Sequence, residues 1–540
     1  MMIENAQQFE KKLTRHRLPF YLILLLLFCS VSLTGLNGSL QNQDETNYAN
    51  ISRESLEAGS LLPLRDGAYH VHKSPMVYWT AMVSFKVFGI NDFSAKLPSA
   101  LANIISAFII FFFAKTIFQS YLSGIFAAFI HLTSIQMYGS SHQLAADSIM
   151  VMTILCSLFF SLKALHEKKW YILLAAFFNA LTILTKSIIG LAVPATLLVY
   201  IILQKKWSDL WYLLIFVAVS FSIAVPYFLY AYAKAPELFI ETFLKTNLMR
   251  RVASEDAFAA ARIIRVFRNG LLYILFLLAF TVPFTPVVFF VFRRRSMDSS
   301  LREIVWNPRS KMLTIYFIII WIVFSLGKRL WPHYTLSAIP ILAIYLGVTL
   351  SGVKDRKIFI YLAVFAFVAL SIFLFWVSRE IERYPTFRDV ALGLSIMYVL
   401  FIGYTVTFYF LKGNLSVKLL FVTTIFFIVF VITTAITVPL DFNADIKSFR
   451  EVIFQKPNTL VIINTREVRE GHYKVGATKW YLRMDADQYR TLDLFLPEAM
   501  EYRRGTYYIY YNKYTDVLKE TYDTFTVLRT GKVWNLGVTM

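Results

Sequence analysis

The chain is short of three things that most soluble enzymes use freely. Only 16% of its 540 residues are charged, Asp and Glu number 34 against 54 Lys and Arg, and there are two cysteines. Soluble domains carry about 25% charged residues, so this deficit excludes an ordinary globular chain. Cys29 and Cys156 both fall inside apolar runs, which excludes a disulfide framework and leaves the redox compartment open. Also missing are a Walker A loop, a dinucleotide fingerprint, a serine or cysteine nucleophile motif, internal repeats and low-complexity tracts. The net charge of +20 does not follow the pattern of a nucleic-acid binder. Its lysines and arginines cluster in short loops, as orientation signals and contacts to anionic lipid require.

What the chain does have is apolar length. It is 57% hydrophobic and 17% aromatic, with a mean hydropathy of +0.56, and stretches of the roughly 20 apolar residues needed to cross a bilayer recur along it. The fold class expected is an α-helical polytopic membrane protein. The first run, Phe20 to Leu33, is too long and too poorly ended for a cleaved signal peptide. Spans are expected near 18–38, 98–117, 121–139, 148–165, 170–185, 188–203, 208–231, 269–292, 312–326, 334–351, 357–377, 388–411 and 416–439, about 13 transmembrane helices in all.

Charge orients them. Lys11, Lys12, Arg15 and Arg17 ahead of the first span put the N-terminus in the cytoplasm. Alternation then makes inside loops of those holding Lys168-Lys169, Lys205-Lys206, Arg293 to Arg309, Lys354 to Lys357, and Lys412 with Lys418. The outside receives segments 39–97 and 232–268, the turn 327–333 and the tail from residue 440. Segment 39–97 is too polar for lipid, yet Tyr48–Leu56 and Met76–Phe88 are amphipathic and read as helices lying in the interface. After Leu440, Thr459–Asn464, Thr506–Asn512 and Phe525–Leu528 read as strands. Two domains are therefore expected: residues 1–439 in the membrane and 440–540 as a small extracytoplasmic α/β domain.

Three of the acids placed outside stand where lipid makes them costly. Asp44-Glu45 follows the first span by a few residues, and Asp147 is flanked by Leu144-Ala145-Ala146 and Ile149-Met150. A lone acid in an outer loop is ordinarily a solvated surface charge. An ionised carboxylate at bilayer depth costs several kcal/mol (about 2.5–3.5 at a helix centre), so one near lipid usually has a partner or a task. Lys73, in the same outer loop, either pairs with Asp44, meets phosphate as a point charge, or snorkels to the interface. Asn247, Arg250-Arg251, Lys328-Arg329 and His333-Tyr334 are also outside and would suit a phosphate-bearing substrate. His70, His72, His142 and His333 share that side, but no spacing forces a metal site, and neither metal nor cofactor is assigned.

These residues carry a resemblance. The run from Asp44 to Glu54 resembles the DExxYAxIxRE signature of the dolichyl-phosphate-mannose-protein mannosyltransferase-like glycosyltransferases, in particular the bacterial aminoarabinose (lipid A) transferase group. Lys73 to Trp79 is similar to that family's K-P-P-L-x-Y-W loop, and Phe88-Gly89 with Ser94 to Ala100 to its F-G…S-x-R-L-P-S-A stretch. Asp147 matches a second acid, Leu184-Thr185-Lys186 an L-T-K-G turn, and Arg329…Pro332-His333-Tyr334…Pro340 a late outer loop. Together these cover most of residues 18–345, in order.

The resemblance implies the GT-C architecture and an inverting transfer of a sugar from a polyprenyl-phosphate carrier. The acceptor would be a lipid (lipid A-like) or a protein at the outer face of a bacterial cytoplasmic membrane. It implies that Asp44 activates or positions the acceptor, that Lys73 orients Asp44 and contacts phosphate, and that Asp147 aligns donor or acceptor. Glu45, Tyr48, His72, Asn247, Arg250, Arg329, His333 and Tyr334 are placed on the substrate side. Partners would be the lipid-linked donor, the glycolipid or protein acceptor and membrane lipids, with no nucleic acid. A transporter or flippase of lipid-linked sugars is the rival reading. It would hold ionisable groups near the bilayer midplane, whereas these lie near span ends.

Overall fold

A computed structural model describes residues 17–40, 43–249, 259–282, 284–285, 301–327, 330–353, 356–380, 387–411 and 415–437, and five strands between Thr459 and Thr539. The chain opens with α1 (Arg17–Leu33) and then forms an outer-loop layer of α2 (Gln43–Glu57), a short hairpin of β1 (Leu64–Arg65) and β2 (Ala68–Tyr69), and α3 (Met76–Phe88). Next come α4 (Asp92–Phe118), α5 (Tyr121–Thr133), α6 (Ile135–Ser141), α7 (Ala146–His166), α8 (Tyr171–Thr185), α9 (Ala192–Gln204) and α10 (Leu210–Lys234). A π-helix (Phe239–Met249) precedes α11 (Ala259–Phe280), α12 (Leu301–Trp306) and α13 (Lys311–Ser325). A 3-10 turn (Pro332–Ser337) leads into α14 (Ile339–Gly352), α15 (Ile358–Glu380), α16 (Phe387–Phe410) and α17 (Leu415–Thr437).

A helix overlies each expected span, with three instructive differences. The span expected from residue 98 begins at Asp92, because Asn91 caps it first: its Oδ1 accepts from the Ser94 amide at 2.8 Å while its own amide donates to Ser94 Oγ at 3.1 Å. That reciprocal box satisfies two amides that a helix start leaves orphaned, and Pro98 is carried inside the helix. The span expected at 121–139 breaks at Ser134, whose extended backbone separates α5 from α6. Within the span expected at 269–292, the described residues show α11 ending at Phe280, shortly before Pro283 and Pro286; proline disfavours helix in the residue before it.

Four of the described helices are long and apolar enough to cross a membrane: Asp92–Phe118, Ala146–His166, Trp207–Lys234 and Ile263–Phe280. Shielding differs among the four. Buried residues make up 83% of the apolar stretch of α7 and only 17% of that of Trp207–Lys234, which makes α7 the central strut and leaves α10 exposed along most of its length.

Two apolar cores meet along α4, α5 and α14. One gathers Phe113, Ile154, Tyr200, Tyr316 and Ile344, the other Phe28, Phe111, Phe126, Phe359 and Phe427. The seam between α5 and α14 is made by small residues. Gly347 approaches so closely that a Cβ there would stand 2.6 Å from Ala127 N and 2.7 Å from Ser123 O, and Ser123 Oγ meets Ser351 Oγ at 2.7 Å. Membrane helices associate through such backbone approach, since lipid is as apolar as leucine.

Beyond the helices lies a five-stranded sheet: β3 (Thr459–Asn464), β4 (Tyr489–Asp493), β5 (Thr506–Tyr511), β6 (Phe525–Thr530) and β7 (Trp534–Thr539), in the order β4-β3-β5-β7-β6. β3 runs parallel to β4 and β5, while β7 is antiparallel to β5 and β6. Three strands coincide with segments expected from sequence. The 440 boundary and any helices of that region lie outside the described residues.

Replacing Gly347 by Leu should force α14 away from α5 and lower the thermal midpoint of the purified protein strongly, since overpacking alone costs about 1–3 kcal/mol. An unchanged midpoint would show that the seam does not hold the two cores together.

Candidate active site

The outer-loop layer is assembled around α2. Asp44 and Glu45 occupy its first turn, where a helix favours negative charge, and point to different fates. Glu45 is 1% exposed and its Oε1 accepts from the Leu144 amide at 3.0 Å. Asp44 is exposed. At the far end of α2, the Glu54 carboxylate accepts from the amides of Asp66 and Gly67 at 2.9 and 2.6 Å. Those two residues form the β1–β2 turn with φ of 55° and 77°, the left-handed pair that a tight hairpin requires. The hairpin in turn delivers His70, His72 and Lys73.

Lys73 then meets α2. Its Nζ stands 3.2 Å from Asp44 Oδ1, donates to Tyr48 Oη at 2.8 Å and lies 4.3 Å from the Tyr48 ring centroid. Lys73 and Asp44 are 42% and 74% exposed, and an ion pair so exposed contributes little to stability, about 0–1 kcal/mol. Its charges are held where a ligand can reach them. Beneath, Tyr78 packs edge-on to Tyr48 at 5.6 Å. It is 1% exposed, its hydroxyl has no partner among the described residues, and burial with Tyr48, Tyr227 and Asp44 nearby pushes its ionisation well above the usual phenol value.

A second pair forms on the bundle side. Asp147, in the first turn of α7, accepts from Lys186 Nζ at 2.6 Å, with exposures of 18% and 29%. Lys186 is positioned by the end of α8, where its backbone becomes extended and its carbonyl accepts from the Ile189 amide at 3.0 Å. Gly190 lets this turn fold back on α8, since a Cβ there would meet Ile183 Cγ1 at 2.4 Å.

The two pairs are neighbours. Ser74 follows Lys73 and Ser187 follows Lys186, and their hydroxyls lie 2.9 Å apart. Met76 and Trp79 of α3 pack on Ile183 and Leu184 of α8 beside Tyr227 and Phe228, which closes the same junction with apolar contact. Loops behind it are pinned by buried polar groups. Lys96, 1% exposed, donates to Gly38 O and Ser39 O at 2.7 and 2.9 Å, and His142 Nε2 lies 2.9 Å from Thr34 O.

The other expected residues distribute as follows. The rings of His70 and His72 are 5.0 Å apart beside Tyr78. His333 and Tyr334 stand in the 3-10 turn that packs on α7, with Tyr334 stacked on Phe324 at 4.9 Å and His333 edge-on to Tyr334 at 4.6 Å. Asn247 is in the last turn of the π-helix, which docks on the outer loop through Phe239 and Phe243 against Leu62 and Val71. Arg250, Arg251, Lys328 and Arg329 lie outside the described residues. Among the described residues no group of three or more His, Cys, Asp or Glu is arranged to hold a metal. Sequence reasoning did not assign Lys186, Tyr78 or the Ser74–Ser187 contact to the site. Lys186 was findable, being a charge at a span end as Asp147 is.

Residues 72–230 match the dolichyl-phosphate-mannose-protein mannosyltransferase family, a stretch that holds Lys73, Asp147 and Lys186. An undecaprenyl phosphate-alpha-4-amino-4-deoxy-L-arabinose arabinosyl transferase of Enterobacter sp. (strain 638) is 27% identical over 342 residues, 61% of this chain and 59% of that protein. An uncharacterized protein of Aquifex aeolicus is 24% identical over 324 residues, 58% of this chain and 60% of that one. The matched region thus spans about three fifths of these relatives' length. The crystal structure of ArnT from Cupriavidus metallidurans bound to undecaprenyl phosphate superposes with a TM-score of 0.71 at 19% identity, covering 98% of both chains. That likeness establishes the fold. Over part of its sequence and nearly all of its fold, the chain is similar to glycosyltransferases of the mannosyltransferase and aminoarabinose-transferase type, the resemblance that its motifs carry.

Burial, with the charges of His72, Arg65 and Lys73, lowers the pKa of His70 from 6.5 to about 4. As pH falls from 6.5 towards 4, only the unfolded chain takes up that proton, so folded stability declines through this window. His70→Gln should flatten the decline, read as the change in thermal midpoint between pH 7 and pH 5. An identical slope in the variant would show that His70 does not set it.

Proposed function

We propose that the chain is an inverting glycosyltransferase that moves a sugar from a polyprenyl-phosphate carrier to a lipid A-like lipid or a protein. The reading places the reaction at the outer face of a bacterial cytoplasmic membrane, with the N-terminus cytoplasmic and residues 440–540 extracytoplasmic. The observation that carries it is the junction of two lysine–carboxylate pairs, Asp44–Lys73 and Asp147–Lys186, through the Ser74–Ser187 contact at one end of the bundle. The names of the relatives support the donor class, since those proteins are described as acting on an undecaprenyl-phosphate-linked sugar.

The chemistry asks little covalent work of the protein. The acceptor oxygen attacks the anomeric carbon from the face opposite the phosphate, a new carbon–oxygen bond forms, and the bond to the phosphate oxygen breaks with its electron pair. Lys73 and Lys186 supply point charges for the phosphate that leaves. Asp44, the exposed acid, faces the acceptor. Where the acceptor is a hydroxyl, Asp44 receives its proton as general base; where it is a phosphate there is no proton to take, and Asp44 positions it. Asp147 holds Lys186 on the donor side. Tyr78 stays protonated and adds a hydrogen-bond donor under Tyr48.

Purified protein in detergent, given an undecaprenyl-phosphate-linked aminosugar and lipid A, should form the glycosylated product without a sealed membrane. A transporter would not. Asp44→Asn should lower the rate at least about tenfold, and at least about a hundredfold where a hydroxyl is the acceptor and a general base is lost. Asp147→Asn and Lys186→Gln should each lower it at least about tenfold, or ~1.4 kcal/mol of barrier. Full activity in Asp44→Asn, or a change under twofold in both others, would discard the assignment.

A further inference from the structure

A second charged cluster stands at the opposite end of the bundle. Asp147 and His166 ride on the same helix, α7, whose rise of 1.5 Å per residue separates them by roughly 30 Å. Around His166 three segments converge: Lys169 ahead of α8, Lys206 between α9 and α10, and Arg309 ahead of α13, all within electrostatic reach of its imidazole. Two carboxylates stand at this end, and each is already engaged: Asp209 by Lys169 and Glu167 by Lys163, both at 3.0 Å. Among the described residues no carboxylate pairs with Lys206 or Arg309.

The cluster is built by its own hydrogen bonds. Tyr200 Oη donates to Pro308 O at 2.7 Å and so accepts from His166 Nε2 at 3.0 Å. Asn307 Oδ1 accepts from the amides of Arg309 and Ser310 at 2.9 and 2.8 Å, and Arg309 Nη1 donates to Thr116 O at 3.0 Å. Among the described residues that leaves most of the five guanidinium donors of Arg309 uncommitted. A net positive cluster whose geometry is fixed in advance lacks only an anion.

The surroundings say where the anion comes from. Trp207 and Trp211 are 59% and 66% exposed at this level, as aromatic side chains are at the headgroup depth of a bilayer. Deeper along the packed helices α8 and α10, Leu173, Phe177 and Leu214 are exposed apolar side chains suited to acyl chains. We propose that His166, Lys206 and Arg309 form a binding site for the phosphate of an anionic phospholipid in the leaflet opposite the candidate active site. Interhelical basic pockets at the cytoplasmic side of membrane proteins take such headgroups, and a phosphodiester offers the oxygens that Arg309 and Lys206 can share.

The test uses the full chain purified in a neutral detergent, with lipid retention read by native mass spectrometry and the thermal midpoint read in parallel. The probes are phosphatidylglycerol, phosphatidylcholine and inorganic phosphate. Phosphatidylglycerol should be retained and raise the midpoint; phosphatidylcholine should do neither, and inorganic phosphate at the same concentration should not raise the midpoint. Lys206→Glu, on an exposed side chain, should weaken phosphatidylglycerol retention at least fivefold. Arg309→Lys, which keeps the charge and loses the fork, should weaken it less, and Lys357→Gln in another loop should leave it unchanged. Equal retention of phosphatidylcholine would overturn the proposal, as would an equal midpoint rise with inorganic phosphate. So would wild-type retention in Lys206→Glu.

Discussion

A charge near lipid must be answered, and most of the outer end of this molecule follows from how Asp147 is answered. The acid begins the most shielded long helix of the bundle, where an unpaired carboxylate would be costly. Its partner arrives from the end of α8, and the backbone turn that presents Lys186 exists because Gly190 allows the chain to lie against Ile183. Once that turn is set, Ser187 meets Ser74, and Lys73 and Asp44 are brought alongside. One electrostatic requirement therefore organises a junction of segments far apart in the chain.

The contrast between the two acids of α2 shows how the junction is kept rigid while remaining accessible. Glu45 is consumed by the Leu144 amide and ties α2 to the segment just ahead of Asp147. Asp44, its neighbour in sequence, stays in solvent. Lys96 and His142 spend their polar groups on backbone carbonyls of the loop after α1. Side chains committed in this way hold the charges of the junction in place before any ligand arrives, which is the preorganisation an electrostatic site requires.

Much of this was legible in the sequence, for a physical reason. Bilayer thickness imposes apolar lengths that are hard to disguise, so a helix lies over every expected span. The amphipathic stretches of the outer loop likewise became α2 and α3. Boundaries failed where local capping outweighed hydropathy: Asn91 and Ser94 start α4 ahead of Pro98. At the site, a pairing of Lys73 with Asp44 was one of three readings the sequence left open, because both lie in one loop. Lys186 was not paired with Asp147 in advance, because spacing along the chain does not say which helix ends meet. Nor could hydropathy separate Glu45, which is buried, from Asp44, which is not.

Because α7 ends in Asp147 at one face and His166 at the other, its polar termini pin it at both surfaces, and its 21 residues match roughly 30 Å of hydrocarbon. Such a rod has little freedom to slide along the bundle, so its two charged ends keep a fixed separation in depth. The outer-loop helices that hold Asp44 and Lys73 are thereby set at one level relative to the opposite face.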